Sequence, residues 1–225
     1  MAAAECTVWW APLDHAGSAS WPLLSDEERT RAQSFRRTDD QARSALGAAL
    51  LRRAVNTLTG VAPSDVVVVR RCKTCGGPHG QPELPGTGLY GSISHAGHWV
   101  CVAVTAAGPV GVDIEPFGLM LRPWLLRAVA GPQEALAVRD GANTLVLWTR
   151  KEAVLKATGE GLATPMQDVV VSPPDEPAAL RRHAGRPALS CQLTDLDLVR
   201  GYAGTVAVVT TDEVLVREEL AASID

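Results

Sequence analysis

Two carboxylates stand two residues apart in Gly111-Val-Asp113-Ile-Glu115-Pro116. In a strand, residues at that spacing share one face. Adjacent carboxylates repel unless a cation or a proton lies between them. Hard oxygen ligands of this kind suit Mg²⁺, which takes a few carboxylates and completes its shell with substrate phosphates. The plainer account is a solvated strand end with two surface acids. A second segment, Trp148-Thr-Arg-Lys151-Glu152-Ala-Val-Leu-Lys156, puts Glu152 and Lys156 four residues apart on one helix face. As a surface pair they would be worth a few tenths of a kcal/mol. As a working group, Glu152 would supply a third metal ligand, and Lys151 and Lys156 would pair with phosphate oxygens. Lysine is scarce in this chain: Lys73, Lys151 and Lys156 are the only three among 21 basic residues. Two of them falling in one stretch favours the working group.

Two weaker patterns accompany these. Ser92-Ile-Ser94-His95-Ala-Gly97 offers hydroxyls and an imidazole that could bind phosphate or begin a nucleophilic triad, or form only a polar turn. The hydrolase elbow G-x-S-x-G is absent, because Ser92 stands where the first glycine belongs. Cys72-x-x-Cys75 with His79, followed by His95-x-x-His98, has spacing that can hold zinc, but a single CxxC without a second cluster is weak support.

The elements that must position these groups are legible in outline. Residues 5–10 predict a strand, rich in β-branched and aromatic types. Ser25–Glu28 and Thr38–Gln41 are capping-box patterns. The second opens a long helix with an apolar stripe of Ala42, Leu46, Ala49, Leu50 and Leu58, ended by Gly60. Val66–Val69 predicts a strand, and residues 72–88 an irregular loop. Strands follow at Leu89–Ser94, Trp99–Thr105 and Val110–Glu115. A helical region runs from Pro123 to Thr158, its last part being the run Asn143–Thr158, stopped by Gly159. Residues 172–188 predict a loop. Strands return at Ser190–Leu196, Gly204–Thr210 and Val214–Arg217.

Val100–Glu115 also resembles Gly204–Glu219. Val102, Ala103, Val104, Val110, Val112 and Glu115 match Val206, Ala207, Val208, Val214, Val216 and Glu219. Either two Val/Ala-rich hairpins coincide by chance, or the chain is a duplicated α+β unit with a cleft where its halves meet. Asp113 aligns with Arg217, so the copies cannot carry the same acidic site.

Composition bounds the rest. With 225 residues, 46% hydrophobic and 20% charged, the chain reads as globular, one large domain or two small ones. A net charge of −4 supplies no global field toward nucleic acid or membrane, so any phosphate site must be a local basic patch. No apolar run has the length of a membrane span, and the start lacks a basic n-region, which predicts a cytoplasmic protein. Five scattered cysteines fit a reduced compartment better than a disulfide framework.

Taken together, the acidic, helical and Ser-His segments resemble the 4′-phosphopantetheinyl transferase superfamily in its Sfp-type (surfactin-synthetase-activating) branch. His79–Leu84 and the surroundings of Arg43 add weaker support. The resemblance spans most of residues 36–162. It implies an α+β fold built as a pseudo-twofold duplication of two similar subdomains, 1–108 and 109–225, with the active site at their interface. It also implies transfer of 4′-phosphopantetheine from coenzyme A to a serine of an acyl or peptidyl carrier protein, releasing adenosine 3′,5′-bisphosphate. Carriers of polyketide, non-ribosomal peptide or fatty-acid synthesis all remain open, and a monomer is expected. By the same resemblance Asp113, Glu115 and Glu152 are the Mg²⁺ ligands, and Glu152 takes the serine proton. Lys156 stabilises or protonates the leaving phosphate, with Lys151 as a further phosphate contact. Arg36, Arg43, Ser44, Gln81, Ser94 and His95 are the coenzyme A contacts. The family often carries a basic residue where Gln81 stands, so a charge contact is lost there. The alternatives are a non-catalytic carrier- or nucleotide-binding protein of the same fold and an unrelated metal-dependent phosphodiesterase.

Overall fold

A run buried on both faces needs a layer on each side, and the first strand has one. In the computed structural model, which describes residues 3–72, 76–78, 80–119, 128–135 and 140–222, β1 is Ala4–Pro12. Its Trp9 and Ala11 face one apolar core and its Cys6, Val8 and Trp10 face another. Helix α1 (Asp26–Gln33) starts at the expected capping box: the Glu28 amide donates to Ser25 Oγ, and the Ser25 amide donates to Glu28 Oε2.

Helix α2 (Thr38–Thr59) starts without the second box. Thr38 already lies inside the helix, and Arg37 at the cap makes no side-chain bond. Its buried side is Ala45 to Leu51, Ala54 and Val55, while Leu58, placed on the expected stripe, is 46% exposed. Small residues let this helix sink: a Cβ at Gly47 would lie 2.9 Å from Ile93 Cγ2.

The expected strand Val66–Val69 is reduced to β2, Val69–Arg70. Val66 is buried, and its carbonyl accepts from the Arg52 guanidinium at 2.7 Å in place of a ladder bond. Then come β3 (Pro82–Leu84), β4 (Leu89–Ala96), β5 (Trp99–Thr105) and β6 (Val110–Pro116). Of the expected helical region, the continuous helix is α3, Gly141–Thr158; residues 123–127 and 136–139 lie outside the described residues. Asp140 caps its start, and Gly159, at φ 70°, ends it in the left-handed conformation that glycine adopts without steric cost. The later strands are β7 (Val169–Val171), β8 (Leu180–His183), β9 (Gln192–Asp195), β10 (Tyr202–Val208) and β11 (Val214–Leu220). Strand β8 falls in the expected loop. It is short, carries Arg181 and Arg182, and pairs only with β7, so it leaves no alternation to read.

The first sheet has the order β11-β1-β5-β4-β3-β2 and the second β6-β10-β9, while β7 and β8 make a small two-stranded third. All of these pairings are antiparallel except β1 with β11. Helix α2 covers the first sheet, the inner faces of the two sheets share a core of valines, Ile114 and Trp10, and α3 covers the second sheet. The α-β-β-α layering is the expected duplicated α+β architecture, with α2 and α3 in equivalent places. The repeated segments are β5-β6 and β10-β11. Strand β6 joins the second sheet, whereas β11 crosses back to the first. Among the described residues, no helix is long and apolar enough to cross a membrane.

Candidate active site

The alternation of β6 sorts its side chains as the sequence predicts. Val112 and Ile114 enter the core between the sheets, leaving Gly111, Asp113 and Glu115 on the side of α3. Gly111 lets the helix lie directly on the strand: a Cβ there would be 2.0 Å from the Ala153 carbonyl oxygen and 2.5 Å from the Ala157 amide nitrogen. That close approach delivers Lys156 to the acids. Its Nζ donates to Asp113 Oδ1 at 2.6 Å, to the Val112 carbonyl at 2.9 Å and to Ser94 Oγ at 3.2 Å. Asp113 and Glu152 are buried and Glu115 half-buried.

One ammonium thus bonds Asp113 and acts by its charge on Glu115 and Glu152. Burial first, then the Asp113 and Glu152 charges, push the Glu115 carboxyl up to about 7, with Lys156 opposing. Glu152 is raised by burial and by Asp113, again against Lys156. Excess negative charge of this kind is relieved by protons or by a cation. One further atom fits a cation: Asp113 Oδ2 is buried and has no hydrogen-bond partner. Among the described residues, no three acidic, histidine or cysteine side chains are drawn in to a ready metal cluster. A few carboxylates, with phosphate oxygens and water completing the shell, is a donor set that matches Mg²⁺.

The two sheets meet here without a backbone ladder. Strand β4 turns Gly91, Ile93 and His95 toward α2 and turns Ser92 and Ser94 toward β6. The Val112 amide donates to Ser92 Oγ at 3.1 Å, and the Ile114 amide donates to Ser94 Oγ at 3.3 Å. Ser94 Oγ in turn donates to Asp113 Oδ1 at 3.0 Å.

On the other face of β4, Arg31, Arg43, Arg70, Ser44 and His95 surround a pocket of about 90 Å³, with Glu28 beside them. Arg43 is held by the Gly97 carbonyl at 2.9 Å and by Asp40 at 2.7 Å. Burial and then the Arg31 charge push Arg70 down to about 10, Glu28 opposing, so it stays cationic at neutral pH. His95 is lowered by the protein packed behind it and then by Lys156 and Arg43, which favours its neutral form. An array of cations around a small hollow is a site for an anion. Arg70 and Ile93 also border a larger cleft of about 500 Å³ that reaches Gln81, Ser92, Lys156 and Glu160. The cleft therefore runs from the cationic hollow to Lys156, whose ammonium is bonded to Asp113. Gln81 lines it and donates from Nε2 to the Val110 carbonyl at 3.1 Å, fastening its loop to β6.

Three expected contacts line neither the cleft nor the hollow. Lys151 is fully buried and does not line the cleft; it points into the core beneath α3 that holds Val129 and Met166. Its ammonium donates to Val129 O at 2.6 Å, Glu134 Oε2 at 2.5 Å and Met166 O at 3.1 Å, leaving no proton for a phosphate. Ser94 is turned away from His95 by strand alternation and is engaged at the seam. Arg36 is exposed on the turn between α1 and α2, outside both cavities. Conversely, Arg31 and Arg70 join the hollow unannounced. Among 18 arginines neither has a distinguishing spacing, although Arg31 does share α1 with a recognisable cap. Cys72 is half-buried, and Cys75 and His79 lie outside the described residues.

A family model described as 4′-phosphopantetheinyl transferase superfamily matches residues 109–207, and one described as 4′-phosphopantetheinyl transferase, N-terminal, matches residues 8–107. The 4′-phosphopantetheinyl transferase HetI of Nostoc sp. is 30% identical over 191 residues, covering 79% of this chain and 78% of its own. A putative 4′-phosphopantetheinyl transferase of Synechocystis sp., slr0495, is 28% identical over 183 residues, covering 75% and 70%. The 4′-phosphopantetheinyl transferase Sfp of Bacillus subtilis is 27% identical over 155 residues, covering 66% of each.

Proposed function

The chain belongs to the 4′-phosphopantetheinyl transferase superfamily, on its Sfp-type branch, and we propose that the cleft at its sheet seam is where phosphopantetheine passes from coenzyme A to a carrier serine. The observation that supports this reading is a cleft that has Arg70 at one end and at the other Lys156, which is bonded to Asp113 and whose charge acts on Glu115 and Glu152.

Arg31, Arg43, Arg70 and His95 would receive the 3′-phosphate of coenzyme A, and the larger cleft would lead its pyrophosphate to Lys156, beside the acids. Asp113, Glu115 and Glu152 would hold Mg²⁺, with the unpartnered Asp113 Oδ2 as a ready ligand. When bound, the ion would neutralise charge on the pyrophosphate. The acceptor serine oxygen attacks the β-phosphorus, the anhydride bond to the bridging oxygen breaks, and adenosine 3′,5′-bisphosphate leaves. Glu152, its carboxyl raised by burial, is suited to take the serine proton. Lys156 leaves Asp113 to pair with the departing phosphate, where charge develops. Both ends of the cleft come from one chain, so the enzyme is read as a monomer. The residue ranges 1–108 and 109–225 are read as the two subdomains flanking it.

The test is incubation with coenzyme A, Mg²⁺ and a panel of apo acyl and peptidyl carriers, with products weighed by mass spectrometry. Modification of a carrier serine that stops on adding a chelator supports the reading. Binding of coenzyme A without transfer to any carrier would favour a non-catalytic binding protein of this fold.

A further inference from the structure

We propose that Ser94 is a positioning residue for Asp113 and not a ligand of coenzyme A. This inference rests on the reading of Asp113 as a metal ligand. Strand β6 is paired on one edge by β10, and its other edge would present amides to a non-pairing neighbour. Strand β4 meets that edge with side chains: Ser92 accepts from the Val112 amide and Ser94 from the Ile114 amide. The two hydroxyls replace the missing ladder at alternate residues, which matches the period of both strands.

Ser94 does more than close the edge. A serine hydroxyl has one proton and two lone pairs. The proton goes to Asp113 Oδ1, and the lone pairs take the Ile114 amide and the Lys156 ammonium. All three capacities are filled by the groups flanking one carboxylate, in a side chain only 6% exposed. With Oδ1 held by Ser94 and Lys156, the remaining oxygen, Oδ2, is the one left buried and unpartnered. Ser94 thereby fixes which oxygen is left to meet a cation, as hydrogen-bond partners behind a metal ligand do. Neighbouring His95 faces the opposite side of β4 and stays with the cationic hollow.

The test compares Ser94→Ala with the parent by three measurements: coenzyme A affinity by calorimetry in chelator, Mn²⁺ affinity by electron paramagnetic resonance in the presence of coenzyme A, and turnover against Mg²⁺ concentration. Coenzyme A affinity without metal is expected to stay within about 2-fold, while metal affinity and kcat each fall about 10–100-fold. Ser94→Thr, which keeps the hydroxyl, is expected to recover part of the metal affinity. Loss of coenzyme A affinity in chelator with unchanged Mn²⁺ affinity would overturn the proposal. So would a lower melting temperature with unchanged metal affinity per folded molecule, since that marks the seam as structural only. Asp113→Ala run in parallel separates the levels: if it keeps metal-dependent turnover the ligand assignment fails, whereas a dead Asp113→Ala beside a normal Ser94→Ala sinks the positioning role alone.

Discussion

Replacing Lys151 by methionine sets the resemblance against the structure. As a phosphate contact, Lys151 would cost affinity for coenzyme A and little stability. Its surroundings imply the reverse. Lys151 is 0% and Glu134 4% exposed, and their 2.5 Å ion pair is embedded in backbone bonds. Glu134 Oε2 also accepts from the Gly131 amide and Oε1 from the Val171 amide, each at 3.0 Å. Methionine would leave that carboxylate charged and buried, with two amides in place of an ammonium, and would strip the Val129 and Met166 carbonyls of their donor. Removing one partner of a buried pair costs about 3–5 kcal/mol. At 2–4 °C per kcal/mol for a chain of this size, the melting temperature is expected to drop by about 6–20 °C. The double change Lys151→Met with Glu134→Gln removes the stranded charge and keeps acceptors for both amides, so it is expected to regain more than half of the loss. Urea and thermal melts, with calorimetry of coenzyme A binding well below the melting temperature, decide it. A Lys151→Met protein that melts within about 2 °C of the parent and binds coenzyme A ten-fold more weakly would refute the argument.

Glu115 makes the metal-free protein sensitive to pH. Its folded carboxyl sits near 7, against about 4.3 when unfolded, so between those values the folded state keeps a proton that the unfolded chain has lost. Stability in chelator is therefore expected to fall from pH 5 to pH 8, metal affinity to rise over the same range, and Glu115→Gln to weaken both trends; melts and Mg²⁺ titrations at each pH check this. Lys156→Met is expected to lower kcat by about 10²–10³. It also removes the ammonium from the carboxylates, so a lowered melting temperature in chelator should recover with Mg²⁺ and coenzyme A while turnover does not. Gly111→Ala forces a methyl into the backbone of α3 and is expected to cost at least about 3 kcal/mol, read by urea denaturation or by loss of soluble protein.

The acids of β6 were readable because strand alternation and the core valines beside them left only one face for Asp113 and Glu115. Glu152 and Lys156 followed from helical spacing. Lys151 shows the limit: its charge and place in the motif say nothing about which side of α3 it occupies, and its partner Glu134 lies 17 residues away with no sequence pattern linking the two. Arg31 and Arg70 were hidden for a related reason, since the hollow they share is assembled from four separate elements, α1, α2, β2 and β4. The capping box at Ser25 formed, but the same pattern at Thr38 did not, because the helix there begins one residue earlier. The repeat showed that two consecutive strand pairs correspond without showing that the strands of each pair part into different sheets.

That exchange has a consequence for synthesis. Ala4 pairs with Val214 and Trp10 with Leu220, so the first strand to emerge waits about two hundred residues for its neighbour. Contacts of such long separation are slow to form, because the intervening loop must close first. The N-terminal half therefore cannot finish as an independent unit while the chain is still growing, and its β1 edge stays open until β11 arrives. Unpaired edges recruit other chains. A chain ending before Val214 would still carry Asp113, Glu115, Glu152 and Lys156, yet its expected failing is self-association through β1, with the chemistry intact and the molecule unable to stay alone.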